Sequence, residues 1–199
     1  MEKFDHLKQL RRFIIEGGRG SLFFQTNEGL TALHISNGYF LSSKTQDDEV
    51  VRAINMLVRK QVHNTLVKEL QPGDGRHLVN SGPEALVIKA CYHGEIEDAR
   101  VLAIMHFFSL FPPVNIKLEP LNRHSAIFPD FPAYLKMHSD SILNGEIVLN
   151  DYLLNSSFPN EIRSTLRLIL TLYLLGMIVP VPKPKNSIFE RIIKRVRGL

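Results

Sequence analysis

Apolar side chains recur at three- and four-residue intervals at the start of the chain: Phe4, Leu7, Leu10, Phe13 and Ile14. That spacing follows the turn of an α-helix and predicts an amphipathic helix over 3–16. Gly17, Gly18 and Gly20 end it, as glycine commonly does at a helix C-terminus. The rhythm then changes. Segments 21–25, 31–36 and 39–43 are short and rich in β-branched, aromatic and aliphatic residues, with Asn27-Glu28-Gly29 and Asn37-Gly38 between them. An Asn-Gly pair suits a two-residue type I′ turn, which needs positive φ at both positions. The pattern predicts an antiparallel meander.

Thr45, Asp47 or Asp48 can cap a second helix whose apolar face is Val50, Val51, Ile54, Leu57 and Val58. Residues 64–70 then predict a strand, closed by the turn Pro72-Gly73-Asp74-Gly75. Residues 71–82 are polar, hold three glycines and lack periodicity, so they form the candidate linker. Residues 83–93 fit helix or strand equally. A helix over 95–111 is predicted from Ile96, Ala99, Leu102, Ala103, His106, Phe107 and Leu110 on one side; Pro112-Pro113 stops it, and 114–118 alternates as a strand. A faint echo links 47–70 with 97–119; it fits a helix–strand duplication, but the gaps differ, and chance is the simpler account. Helices follow over 131–143, 149–154 and 160–175, with short strands over 145–148 and 177–181.

The expected fold class is therefore α+β: an N-terminal antiparallel meander sheet with flanking helices, then a mostly helical, winged-helix-like C-terminal part. The expected division is 1–70 for the α+β part, 71–82 for the linker, 83–125 for a helix–strand continuation, 126–182 for the helical part and 183–199 for a basic terminal helix.

Composition changes this picture little. With 199 residues, 44% hydrophobic and 22% charged, the chain can bury a core without covalent staples. The single cysteine, Cys91, excludes an internal disulfide and fits a reducing compartment. Residues 1–12 carry charges throughout, without the apolar run of a secretory leader. Segment 166–181 is interrupted by Arg167, Thr171, Gly176 and Pro180 and is short for a membrane span. A cytoplasmic location is expected.

Charge is more informative. The net +4 is concentrated at the C-terminus, where 183–199 holds six basic residues against Glu190 alone, and the remainder is close to neutral. A neutral body disfavours a nucleic-acid face on the main fold, which would need clustered Lys and Arg. The helix predicted over 160–175 offers only Arg163 and Arg167, and so reads as core instead of DNA recognition.

No segment gathers catalytic chemistry. Gly17-Gly18-Arg19-Gly20 lacks the Lys-Ser/Thr of a phosphate-binding loop and follows a helix. No nucleophile elbow is present. The eight histidines (6, 34, 63, 77, 93, 106, 124, 138) show no paired metal-ligand spacing, and Cys91-Tyr92-His93 has no second half. His34 and His106 sit on apolar faces and are expected to be core or half-buried histidines with local hydrogen bonds. Cys91 is expected to be a small buried hydrophobe. The acids Asp47-Asp48-Glu49 and Glu95, Glu97 and Asp98 fall at predicted helix starts, where they favour the helix dipole. No catalytic residue, cofactor or metal is expected.

The tail is the exception to this blandness. Ser187 and Glu190 have capping-box spacing. Ile188, Phe189, Ile192, Ile193 and Val196 alternate with Arg191, Lys194, Arg195 and Arg197. These residues are the candidate partner-binding set. Pro180, Pro182 and Pro184 ahead of them make a stiff spacer. The tail could dock on its own core, on another protein or a second copy, or on an anionic membrane surface.

The order of elements resembles a known family. The opening helix, then Gly20-Ser21-Leu22-Phe23-Phe24, then 33–42 (Leu33-His34-Ile35-Ser36-Asn37-Gly38-Tyr39-Phe40-Leu41-Ser42), then Glu49, Ala53, Ile54 and Leu57 are similar to the PATAN domain, a bacterial module often fused to two-component receiver domains. Leu170-Thr171-Leu172-Tyr173-Leu174-Leu175-Gly176-Met177-Ile178 is similar to the helix that commonly ends such proteins. The resemblance covers 3–70 well and 130–181 loosely. It departs at Gly18-Arg19-Gly20, at Leu66 and Val67 where the family has an aromatic pair, and in having no room for a receiver domain. It implies a non-enzymatic, protein-binding adaptor or regulator in bacterial signalling, often near surface motility or type IV pili. The rival readings are a DNA-binding regulator acting through the winged-helix-like part and an enzyme with an active site dispersed in sequence.

Overall fold

A computed structural model describes residues 5–70, 75–92, 96, 104 and 159–177. The predicted strand over 114–118, the predicted helices over 95–111, 131–143 and 149–154, the strand over 145–148 and the tail 183–199 lie outside the described residues, apart from Ile96 and Ile104, which are both buried.

The amphipathic opening is helix α1 (Asp5–Ile15), and its predicted face is the buried one: Leu7, Leu10 and Phe13. It ends as the glycines require, with the Gly18 N–H reaching back to the Phe13 carbonyl at 3.2 Å. The meander follows as β1 (Gly20–Thr26), β2 (Gly29–Ser36) and β3 (Tyr39–Ser42). Asn37 and Gly38 have φ of 54° and 81°, the double positive φ of the type I′ turn, so a β-branched residue at either position would be strained. Helix α2 (Asp47–Arg59) and strand β4 (Asn64–Lys68) come next, then β5 (His77–Leu78), α3 (Pro83–Tyr92) and α4 (Pro159–Leu174).

The sheet is antiparallel throughout, in the order β4-β1-β2-β3-β5. Two features go beyond the sequence reading. Strand β4 returns to pair with β1, so it becomes an edge. The stretch read as a linker contributes β5, which pairs with β3 at the opposite edge through Leu41↔Leu78 and Ser42↔His77. Of the ambiguous 83–93, Pro83–Tyr92 is helical, and the strand predicted over 64–70 stops at Lys68.

One face of the sheet carries Leu22, Phe24, Leu33, Ile35 and Phe40, all at most 1% exposed. Helices α1 and α2 lie against it and touch each other; α3 packs on α2, and α4 packs on both α3 and α1. From Leu166 to Leu175 nearly every described side chain of α4 is buried, Thr171 included, which is the signature of a helix surrounded by protein. Arg11 of α1 clasps its end. The guanidinium donates to the Tyr173 carbonyl at 2.9 Å and lies 5.2 Å from the Tyr173 ring centroid, satisfying a last-turn carbonyl with a positive charge.

The capping expectation for α2 needs correction. Gln46 is the N-cap and makes no side-chain cap bond. Thr45 has φ 55° and its hydroxyl bonds the Lys44 carbonyl. Asp47 instead holds the loop before α3, accepting from the Ser81 backbone N–H at 3.1 Å and from the Ser81 hydroxyl. Asp48 pairs with Lys89 of α3 at 3.1 Å. A tertiary partner outcompeted the local cap because α3 lies directly beside the start of α2. The Ser81 bonds hold the Asp47 carboxyl below its ordinary range. A lowered carboxylate pKa contributes stability above the unfolded-state value of about 3.9, lost as pH falls through the folded value. We therefore expect Asp47→Ala to cost about 1 kcal/mol at neutral pH, solvent screening included. The gap from wild type should close on acidification, as followed by urea midpoints across pH.

Candidate functional site

Alternation along the strands places the remaining side chains on the other face of the sheet, helix-free among the described residues. Cross-strand register assembles them. Phe23 lies beside Ala32 and Leu66; Ser21 lies beside His34 and Lys68; His34 continues to Leu41 and then Leu78. Leu30 and Tyr39 lie further out on the same face.

Its centre is polar but satisfied. Ser21 Oγ is 2.8 Å from His34 Nδ1, the Phe23 ring meets the His34 ring edge-on with centroids 6.0 Å apart, and Lys68 Nζ lies 5.6 Å from the Phe23 centroid. Ser21 is only 4% exposed. A hydroxyl so enclosed is positioned to hold the sheet face together and is poorly placed to attack a substrate. His34 is half-buried with a local hydrogen bond, as expected from its apolar setting.

Around this centre the face is apolar and open. Among the described residues the exposed large hydrophobics are Leu30 at 73%, Leu78 at 58%, Tyr39 at 54%, Leu66 at 52% and Val67 at 44%. All but Val67 share this one face. Large apolar side chains gathered on one surface mark sites of protein contact, whereas scattered ones are ordinary.

A pocket of about 130 Å³ opens where β2 and β3 meet the start of α2, lined by Ala32, His34, Leu41, Ser43, Glu49 and Arg76 among others. It is smaller than the roughly 300 Å³ at which small-molecule sites begin. The Glu49 carboxylate there accepts from the Ser42 hydroxyl. No group of three or more metal-ligating side chains occurs among the described residues, and no described helix is long and apolar enough to cross a membrane.

No family model, curated protein or solved structure matches this chain.

Cys91 is 1% exposed on α3, and burial pushes its thiol up to about 12, against a weaker opposing hydrogen bond from Thr171. The thiolate that alkylating reagents require is suppressed. Native protein should react with iodoacetamide far more slowly than urea-unfolded protein, as read by mass spectrometry; equal rates would contradict the burial.

The tail residues Ile188, Phe189, Arg191, Ile192, Ile193, Lys194, Arg195, Val196 and Arg197 lie outside the described residues. The open sheet face was missed in the sequence because alternation shows that a strand has two faces without showing which of them the helices cover.

Proposed function

We propose that this chain is a non-enzymatic, protein-binding adaptor or regulator, with the helix-free face of the sheet as its contact surface. The observation that carries this reading is the segregation of Leu30, Tyr39, Leu66 and Leu78 onto one face. A hydrogen-bonded Ser21–His34 pair, with Ser21 buried and His34 half-buried, and a small pocket add to it. The resemblance to PATAN domains favours bacterial signalling, with surface motility or type IV pili as the setting and the cytoplasm as the compartment. The winged-helix-like arrangement proposed for the C-terminal part belongs to the same reading, as does a contact role for the basic tail on a partner or an anionic membrane.

The test is a pair of variants assayed for capture of partners from native extract. Leu30→Glu with Leu78→Glu places charge on the open face at exposed positions, so folding should be preserved; removal of 183–199 tests the tail separately. Loss of capture by the face variant, with an unchanged thermal melt, supports the reading. Capture unchanged by the face variant would overturn the assignment of this surface.

A further inference from the structure

We propose that two copies of this chain associate edge to edge through β4, antiparallel, about a two-fold axis passing through Leu66. Among the described strands β4 ends the sheet order, and all five of its residues are exposed. Val67, which points toward the helical side, is 44% exposed, so the described helices stop short of this strand. Edge strands are commonly protected from pairing by an outward charge, a proline or a bulge. The segment Asn64-Thr65-Leu66-Val67-Lys68 has no proline, and its register with β1 runs unbroken over five residue pairs. Its only charged side chain, Lys68, is drawn inward over the Phe23 ring. Among the described residues nothing covers this edge.

The sequence of the edge selects a second copy as its occupant. Two-fold antiparallel pairing keeps directly opposed residues on the same face, which requires the axis to fall on a residue. With the axis on Leu66, that residue opposes its own mate, Thr65 opposes Val67 twice, and Asn64 opposes Lys68 twice. Beyond the strand, exposed His63 opposes exposed Glu69 twice, a pairing of a potential cation with an anion. Moving the axis to Thr65 sets Lys68 against buried Val62; moving it to Val67 sets Lys68 against Leu66. Of the three registers, only the one centred on Leu66 keeps Lys68 off an apolar partner and opposes His63 to Glu69. In that register both helix-free faces lie on the same side of a ten-stranded sheet, and their apolar patches merge. Self-association is measured on purified protein, so it stands or falls apart from the adaptor reading.

A five-residue edge is a small interface, so the dimer should be weak and concentration-dependent. Sedimentation velocity of the full chain over a wide concentration series should show a shift from the 22.7 kDa monomer toward twice that mass. Leu66→Lys, at a half-exposed site, should abolish the shift with an unchanged circular dichroism melt. Glu69→Arg should weaken association about tenfold or more, and His63→Glu combined with Glu69→Arg should restore it. If Leu66→Lys does not fold, mild oxidation decides: Leu66→Cys should form an intermolecular disulfide, and Leu30→Cys, more exposed but remote from the axis, should not. A wild-type chain that stays monomeric at every concentration overturns the proposal, as does a dimer indifferent to Leu66→Lys or equal cross-linking at both positions.

Discussion

Phe24→Ala is expected to remove about 3–5 kcal/mol of folding stability. Phe24 is fully buried in the middle of β1, the strand that pairs with β2 on one side and β4 on the other. Its register neighbours are Thr31 and Thr65, whose small side chains cannot fill the space the ring would leave. Two sets of ladder hydrogen bonds hold the β1 backbone, so the strand cannot sink toward α1 and α2 to close a cavity. Domains have only about 5–15 kcal/mol in total, and the variant should approach its unfolding threshold. Urea denaturation measures this. The adjacent ring is the control: Phe23 lies on the helix-free face and is half-exposed, so Phe23→Ala should cost less than half as much. Equal losses would mean that the two faces are not packed as described.

Gly176→Val should produce a loss of about 2–5 kcal/mol, from two separable causes. The first is local. Gly176 closes α4 with φ +72°, and the chain reverses there through a bond from the Met177 N–H to the Leu172 carbonyl at 2.9 Å. A β-branched residue in that left-handed conformation is strained wherever it occurs. The second is tertiary. A Cβ at this position would lie 2.5 Å from Ile15 Cδ1 and 3.1 Å from its Cγ1, at the join between the end of α1 and the end of α4. Ile15→Ala in the same molecule should recover the second part and leave the first. The cost of the Gly176 substitution, read from thermal unfolding, should therefore be smaller in the Ile15→Ala background. An identical cost in both backgrounds would show that the Ile15 side chain yields and that the whole cost is local.

These two expectations divide along the line between what a linear pattern shows and what it does not. Helix α1, the meander, the Asn37-Gly38 turn, α2 and α4 were legible because each follows from a repeat or a turn residue a few positions away. Burial of Cys91 was legible for the same reason: an uncharged small residue among apolar neighbours has no local cause to be exposed. The start of α2 was misjudged because Thr45, Asp47 and Asp48 all have the chemistry of a cap, and the choice among them depended on Ser81 and Lys89, more than thirty positions away. Strand β5 was missed because two residues, His77 and Leu78, carry too short a signal to show alternation. Their pairing with Ser42 and Leu41 is what makes them a strand.

The candidate site lies wholly on the second side of that line. The chain by itself determined that its strands have two faces and that α1 and α2 have one apolar face each. Only the tertiary structure decided which sheet face the helices cover and which strand is left at the edge. The physical reason is that burial of one face against α1 and α2 is chosen by the sum of contacts across the layer, while alternation within a strand is set by backbone geometry alone. Leu22 and Leu66 are both leucines in alternating strands; one is fully buried and the other is 52% exposed because of where the helices lie.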